Sequence, residues 1–261
     1  MDLGLTDRVC IVTGSSSGIG LETARILTAE GARVVVCGRD LERTEIARKR
    51  AGASLGFALD LADPASPAEL VRGTEEAFGR VDVLVNNVGL AYQIAFEQLT
   101  DEHWSSIWNL NVMSYVRSIQ AVLPGMRARH SGVIVNVSST AGKRPSVSMP
   151  NYSVSKAAVL SLSRLVADLY AKEGIRCNAV APGPTATDAW LSEGGLADQS
   201  RAGKEMSREE MLAAVGAGRP LGRLAEPEEI AAAIVFLCSE RSSYVTGAAW
   251  SVDGGTVPII I

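Results

Sequence analysis

Arg8-Val9-Cys10-Ile11-Val12-Thr13-Gly14-Ser15-Ser16-Ser17-Gly18-Ile19-Gly20 is the stretch on which the fold turns. Residues 8–13 form an apolar, β-branched run that reads as a buried strand. Gly14, Gly18 and Gly20 then lead into a helical pattern over 18–30. Glycine lets the backbone turn sharply and approach a ligand closely. A helix N-terminus adds free N–H groups and a partial positive charge. A lone Gly-rich turn would say little. Between a strand and a helix it reads as a phosphate-binding turn for a nucleotide, made by Gly14, Ser16, Ser17, Gly18, Ile19 and Gly20.

The same alternation continues outward. Apolar strands are expected over 33–37, 54–59, 81–85, 132–137, 175–180 and 248–252. Between them lie a helix capped by Asp40, one after Pro64, a long one over 101–129, one from Tyr152 to 172, and one over 226–239 with Pro227 in its first turn. Continuous apolar strands alternating with helices imply an α/β fold. A doubly wound parallel sheet of about seven strands carries helices on both faces, in a single domain over 1–261. Ligands then bind beyond the carboxyl ends of the strands. Residues 187–219 break the rhythm: they are polar, Gly-rich and charged, with a helical patch at 208–215. We read them as a mobile substrate lid in preference to plain disorder.

Composition narrows the function. A 261-residue chain with 47% hydrophobic residues fits one sizeable core. Lys and Arg number 25 against 29 Asp and Glu, a net charge of −4 without basic runs, which argues against a nucleic-acid partner. Cys10, Cys37, Cys177 and Cys238 are scattered through apolar stretches, as core residues of a reducing compartment are. His103 and His130 form no ligand cluster, so no metal is expected. The N-terminus lacks the basic start and apolar run of a signal peptide, and the densest apolar run, 230–238, is too short for a bilayer. A cytoplasmic protein without a membrane partner is expected.

The end of the second strand bears on which nucleotide binds. NAD sites usually place an acid there for the ribose hydroxyls. This chain has Gly38 and then Arg39, whose guanidinium suits a 2′-phosphate, so NADP(H) is favoured over NAD(H); an exposed loop Arg is the alternative. Asp60, followed by Leu61, ends the third strand and either accepts from the adenine amino group or caps the helix near Pro64. Further on, Tyr152 and Lys156 stand four apart on one helix face. A phenol has a reference pKa of about 10, and a nearby ammonium favours its ionised form. The pair can exchange a proton at neutral pH, although the same spacing also occurs in plain surface pairs.

With these residues in place the chain resembles the short-chain dehydrogenase/reductase family over nearly its whole length, a single-domain Rossmann fold. The resemblance rests on Gly14, Gly18 and Gly20; on Asn86-Asn87-Val88-Gly89, with Val88 where the family has Ala; on Asn111 in Leu110-Asn111-Val112; and on Ser139 thirteen residues before Tyr152. It extends to Pro182-Gly183, to Thr185 in place of a common Ile, and to Thr187. It implies that Tyr152 exchanges a proton with the substrate oxygen while the nicotinamide exchanges hydride with its carbon. Lys156 would hold the nicotinamide ribose and lower the Tyr152 pKa, Ser139 would hold the substrate oxygen, and Asn111 would interrupt the long helix and hold a relay water. Asn87, Gly89, Pro182, Gly183, Thr185 and Thr187 would line the cofactor. Ser138 is the rival of Ser139, and spacing favours Ser139.

By family position the substrate wall comprises Ala141, Val147, Met149 and Trp190, with Tyr92 and Leu191 beside them. It suits a hydrophobic ketone or secondary alcohol better than a free sugar. The chain looks most like the 3-oxoacyl-[acyl-carrier-protein] reductase branch. His130 and Glu173, however, stand where such reductases tend to carry basic residues for an acidic carrier protein, so a broad NADPH ketoreductase is preferred. Related enzymes are commonly homotetramers, and the apolar tail Val257-Pro258-Ile259-Ile260-Ile261 suggests burial in an assembly or on its own subunit. The alternatives are an NAD-dependent sugar, polyol or hydroxysteroid dehydrogenase and, last, a non-catalytic nucleotide-sensing protein.

Overall fold

A computed structural model describes residues 2–258. β1 (Val9–Val12) leads through the glycine turn into α1 (Gly18–Ala29), followed by β2 (Arg33–Gly38), α2 (Leu41–Ala51), β3 (Leu55–Ala58) and α3 (Ser66–Phe78). After β4 (Val83–Asn86) come α4 (Asp101–Trp108), α5 (Ser114–Ala128), β5 (Gly132–Val137), α6 (Thr140–Lys143), α7 (Pro150–Tyr170) and β6 (Ile175–Pro182). Three short helices, α8 (Asp188–Leu191), α9 (Leu196–Arg201) and α10 (Arg208–Ala217), precede α11 (Pro227–Cys238) and β7 (Ala249–Val252). The seven strands form one sheet in the order β3-β2-β1-β4-β5-β6-β7, every neighbouring pair parallel.

The continuous apolar strands are explained by burial on both faces. Successive side chains of a strand point to opposite sides. Cys10, Val12, Val34 and Val36 pack with Leu21 and Leu27 of α1 and Ile230 and Ile234 of α11. Ile11, Val35 and Leu84 pack on the other face with Leu70 of α3, Ile119 and Met126 of α5 and Val166 of α7. Burying one such side chain contributes about 1.5–3 kcal/mol, so neither face of the sheet can be left wet. Strand order reverses at β1, which lies between β2 and β4. A crevice opens beyond the carboxyl ends of β1 and β4, where ligands of such sheets bind.

Local signals fix the element ends. The Asp40 carboxylate accepts from the Arg43 N–H at 2.7 Å and starts α2. Pro227 opens α11, its missing N–H lost where no helical bond is due. The single helix expected over 101–129 is divided: residues 109–113 form one π-helical turn between α4 and α5. There the Asn111 side chain pairs with the Leu90 backbone, Nδ2 donating to its carbonyl at 3.0 Å and Oδ1 accepting from its N–H at 2.8 Å. The interruption expected at Asn111 is thus present, and it belongs to a turn of wider winding. Among the described residues no helix is long and apolar enough to cross a membrane, and no cluster of metal-ligating side chains occurs. All four cysteines are buried and free.

Candidate active site

Two adjoining cavities lie beyond the strand ends. The first, of ≈470 Å³, is lined by Gly14, Ser16, Ser17, Gly18, Ile19, Gly38, Arg39, Arg43, Asp60, Leu61, Asn87 and Gly89, with Thr187 and Asp188 on its far side. Gly14 has φ +60°, and a Cβ there would lie 2.7 Å from the Val88 Cα. Asn87 locks the turn: its Nδ2 donates to the carbonyls of Thr13 and Gly14, both at 3.0 Å. That amide occupies the place of a Gly20 side chain, since a Cβ on Gly20 would lie 2.5 Å from it. Gly20 therefore seats the loop without lining the cavity.

This groove fits a dinucleotide. Ser17 precedes α1 with no side-chain cap, and no acid stands in the first turn. The first N–H groups of α1 stay free for an anionic ligand, with the helix dipole behind them. Arg39 and Arg43 share the wall beyond β2, and the acids that line the groove are Asp60 and, across it, Asp188. Asp60 accepts only from the Ala62 N–H, at 3.0 Å, and α3 starts later, at Ser66, so Asp60 is not its cap. Arg43 escaped the sequence reading. Its signal was the four-residue interval from Arg39, and its Nη2 reaches Asp188 of α8 at 3.4 Å.

The second cavity, of ≈600 Å³, holds the proton-transfer candidates: Ser139, Tyr152 and Lys156 all line it. Tyr152 rises from the first turn of α7, and Lys156, one turn on, is buried. The Lys156 Nζ donates to the Val137 carbonyl at 2.9 Å and lies 5.8 Å from the Tyr152 ring centroid. Ser139, the N-cap of α6, lines the cavity with Tyr152, and its Oγ accepts from the Ala141 N–H at 3.1 Å. Ser138 is turned away, its hydroxyl donating to the Lys156 carbonyl at 2.7 Å. The two serines are thus separated, Ser139 in the cavity with the phenol and Ser138 tying α7 to the end of β5. Asn111 is fully buried behind this wall and donates to the Ser155 Oγ at 3.2 Å, while the Ser155 hydroxyl donates to the Tyr152 carbonyl at 2.7 Å.

The protonation pattern differs from the expectation that Lys156 depresses the Tyr152 pKa. Burial pushes the Tyr152 phenol above its usual value, with only the Ser139 hydroxyl pulling it down. Burial likewise pushes Lys156 down to about 7. Each group loses water around its charged form, and the ammonium is directed at a carbonyl rather than at the phenol. At neutral pH the arrangement offers a protonated phenol beside a hydroxyl, an acid able to donate to an oxygen.

Of the expected substrate wall, Ala141, Met149 and Trp190 line the cavity, as do Pro182, Gly183, Thr185 and Thr187. Val147 does not: it is 95% exposed at the tip of the loop before α7, with Ser146, Ser148 and Met149 facing inward around it. Tyr92 is also diverted, because its hydroxyl accepts from Asn151 at 2.8 Å and donates to the His103 carbonyl. Leu191 is exposed at the end of α8. Residues 187–219 fold into α8, α9 and α10 and roof the cavity through Trp190, Leu196, Ser200, Val215 and Arg219. The roof is tied to the loop after β4, where the Gln93 Nε2 donates to the Ser200 Oγ at 2.6 Å and the Gln93 N–H to Gln199 at 2.7 Å. Glu173, read as repelling an acidic partner, accepts from Arg127 at 2.6 Å, so much of its charge is matched. The apolar tail is described only through Pro258; its last three residues lie outside the described residues.

A family model described as enoyl-(acyl carrier protein) reductase matches residues 14–257. An uncharacterized oxidoreductase of Bacillus subtilis is 36% identical over 261 residues, covering 98% of this chain and 99% of that one. The 3-oxoacyl-[acyl-carrier-protein] reductase of Thermotoga maritima is 35% identical over 257 residues, 97% of this chain and 99% of its own. Among solved structures, the L-sorbose reductase of Gluconobacter frateurii complexed with NADPH and L-sorbose superposes with a TM-score of 0.93, at 35% identity over 100% of both chains.

Proposed function

Because the chain belongs to the short-chain dehydrogenase/reductase family, we propose that this enzyme reduces a ketone with a hydrophobic or 3-oxoacyl-type body to a secondary alcohol. Its cofactor is NADP(H), in keeping with NADPH-complexed neighbours that share its fold. One observation carries the reading: Ser139, Tyr152 and Lys156 converge on a cavity that adjoins the glycine groove, sharing Ile19, Asn87, Gly89 and Thr187 with it.

The bound nicotinamide supplies the hydride. Tyr152 donates its phenolic proton to the substrate oxygen, and its raised pKa keeps that proton in place at neutral pH, which suits reduction. Ser139 holds the same oxygen through its hydroxyl. Lys156 holds the nicotinamide ribose. Asn111 and Ser155 fix the first turns of α7, and Asn111 holds a water in a proton relay to Lys156. Arg39 and Arg43 hold the 2′-phosphate. Exposed Val154, Leu165 and Leu169 on α7 and Trp108 on α4 fit a homotetramer, and four buried free cysteines fit a cytoplasmic setting.

A second reading, reduction of a sugar ketone, draws on the L-sorbose reductase neighbour. Rates with NADPH and NADH over β-ketoesters, cyclic ketones, steroids and ketoses separate the two. Turnover of ketoesters and cyclic ketones with NADPH is the expected result. Turnover of ketoses alone selects the second reading, and strong preference for NADH overturns the assignment of Arg39.

A further inference from the structure

The charged side chains around the substrate cavity are of one sign. Lys156, Arg144 and Arg219 line it, and no Asp or Glu does. Lys156 has a place in the proton-transfer machinery. Arg144, in the loop after α6, and Arg219, at the end of the roof after α10, have none in the reaction described above.

Arg219 is unlike the other arginines with a shielded donor. The Nε atoms of Arg8, Arg129 and Arg219 are all buried without a hydrogen-bond partner. Arg8 nevertheless lies 3.8 Å from Asp82 and 3.6 Å from Glu240. Arg129 donates from Nη2 to the Val81 carbonyl at 2.6 Å. Among the described residues, Arg219 has neither an ion pair nor a side-chain hydrogen bond. The acids of the small cleft that Arg219 lines on its other side, Glu229 and Asp253, are engaged. Glu229 is paired with Arg223 at 2.6 Å, and Asp253 accepts from the N–H groups of Gly255 at 3.0 Å and Val257 at 2.9 Å. A guanidinium has five donors in a rigid fork; in the half-buried Arg219 the Nε is withdrawn from water without an acceptor, which is unfavourable. A planar anion offers two parallel acceptors to that fork.

We propose that the substrate is an oxo acid, a ketone with a free carboxylate, and that Arg219 receives the carboxylate while Arg144 contributes positive charge at the same cavity. The inference rests on the ketoreductase reading above and deepens it. The hydrophobic body then lies against Met149, Trp190, Leu196 and Val215, with its ketone at Tyr152 and its acid end at Arg219. Arg219 determines specificity and takes no part in proton or hydride transfer.

The test compares 4-oxopentanoate with ethyl 4-oxopentanoate, and 4-oxocyclohexanecarboxylate with its methyl ester, under NADPH. Wild type is expected to prefer each acid in kcat/KM. In Arg219→Leu the acids should lose about 100-fold, mainly through KM, and the esters at least ten times less, the size of a lost charged hydrogen bond. Arg219→Lys should recover part of the loss, and Arg144→Leu should show a smaller loss of the same kind. NADPH binding, followed by protein fluorescence, reports that each variant is folded. Equal turnover of acid and ester by wild type, or equal losses on both in Arg219→Leu, overturns the proposal and leaves the ketoreductase reading intact. Preference for dihydroxyacetone phosphate over every acid also overturns the choice of a carboxylate. Failure to reduce any ketone, ester or acid would instead overturn the ketoreductase reading.

Discussion

In the glycine groove, ligand recognition is prepared by main chain: the turn from Gly14 to Gly18, the uncapped start of α1, and an Asn87 amide that bonds two carbonyls. The substrate cavity next to it is made of side chains drawn from the loop after β4, from α6 and α7, and from the roof over 187–219. Main-chain sites depend on a few contiguous residues whose φ and ψ are tightly limited. Side-chain pockets depend on where distant loops arrive. The groove therefore tolerates little local change, whereas the cavity can exchange one wall for another and keep the fold.

Five substitutions can break that contrast. The largest effect is expected in the side-chain cavity: Tyr152→Phe should lower kcat by about 10³-fold while NADPH affinity is retained. Steady-state turnover and fluorescence titration check both halves, and equal turnover would remove Tyr152 from proton transfer. Next, Lys156 has a folded pKa of about 7 against 10.5 for an ordinary lysine, so the unfolded chain binds more protons between those values. Its contribution to stability should rise across that window, by up to about 1.4 kcal/mol per pH unit, and be lost as pH falls through 7. Denaturant melts of wild type and Lys156→Met from pH 7 to 9 should show a flatter profile in the variant; parallel profiles would place the titration elsewhere.

A third change bears on the main-chain site. Gly14→Ala forces a Cβ against Val88 at a positive φ and should cost about 2 kcal/mol, with weakened NADPH binding. Unaltered melting and affinity would mean that the turn is less constrained than its geometry implies. The smallest effects are expected at the one side-chain portion of the groove. Arg39→Ala and Arg43→Ala should each reduce the preference for NADPH over NADH by about 10-fold, measured as a ratio of kcat/KM values. A loss at Arg39 alone would leave Arg43 as a partner of Asp188 only.

Legibility in the sequence follows the same division. The glycine turn, the Asp40 cap, Pro227 at the start of α11 and the strands with their helices could all be read, because each depends on neighbours within a turn or on burial of a strand on both sides. The 4-residue interval from Tyr152 to Lys156 placed both on one face of α7, and both line the same cavity. Val147 could not be placed, because one residue's shift along an irregular loop decides whether a side chain faces the cavity or water. The protonation of the pair also escaped, since desolvation depends on everything packed around α7. Arg219 sits among polar roof residues with no periodicity to mark it, and its missing partners are a property of the assembled neighbourhood.

The sequence by itself determined the parallel sheet and the main-chain cradle at the carboxyl end of its first strand, because hydrophobic alternation and glycine spacing act over short stretches of chain. Only the tertiary structure decided which wall residues turn inward, how burial sets the charge of Tyr152 and Lys156, and that Arg219, its Nε shielded, is left without a side-chain partner among the described residues. Those outcomes depend on distances between segments far apart in the chain and on the water excluded between them, and neither quantity is written in any one segment.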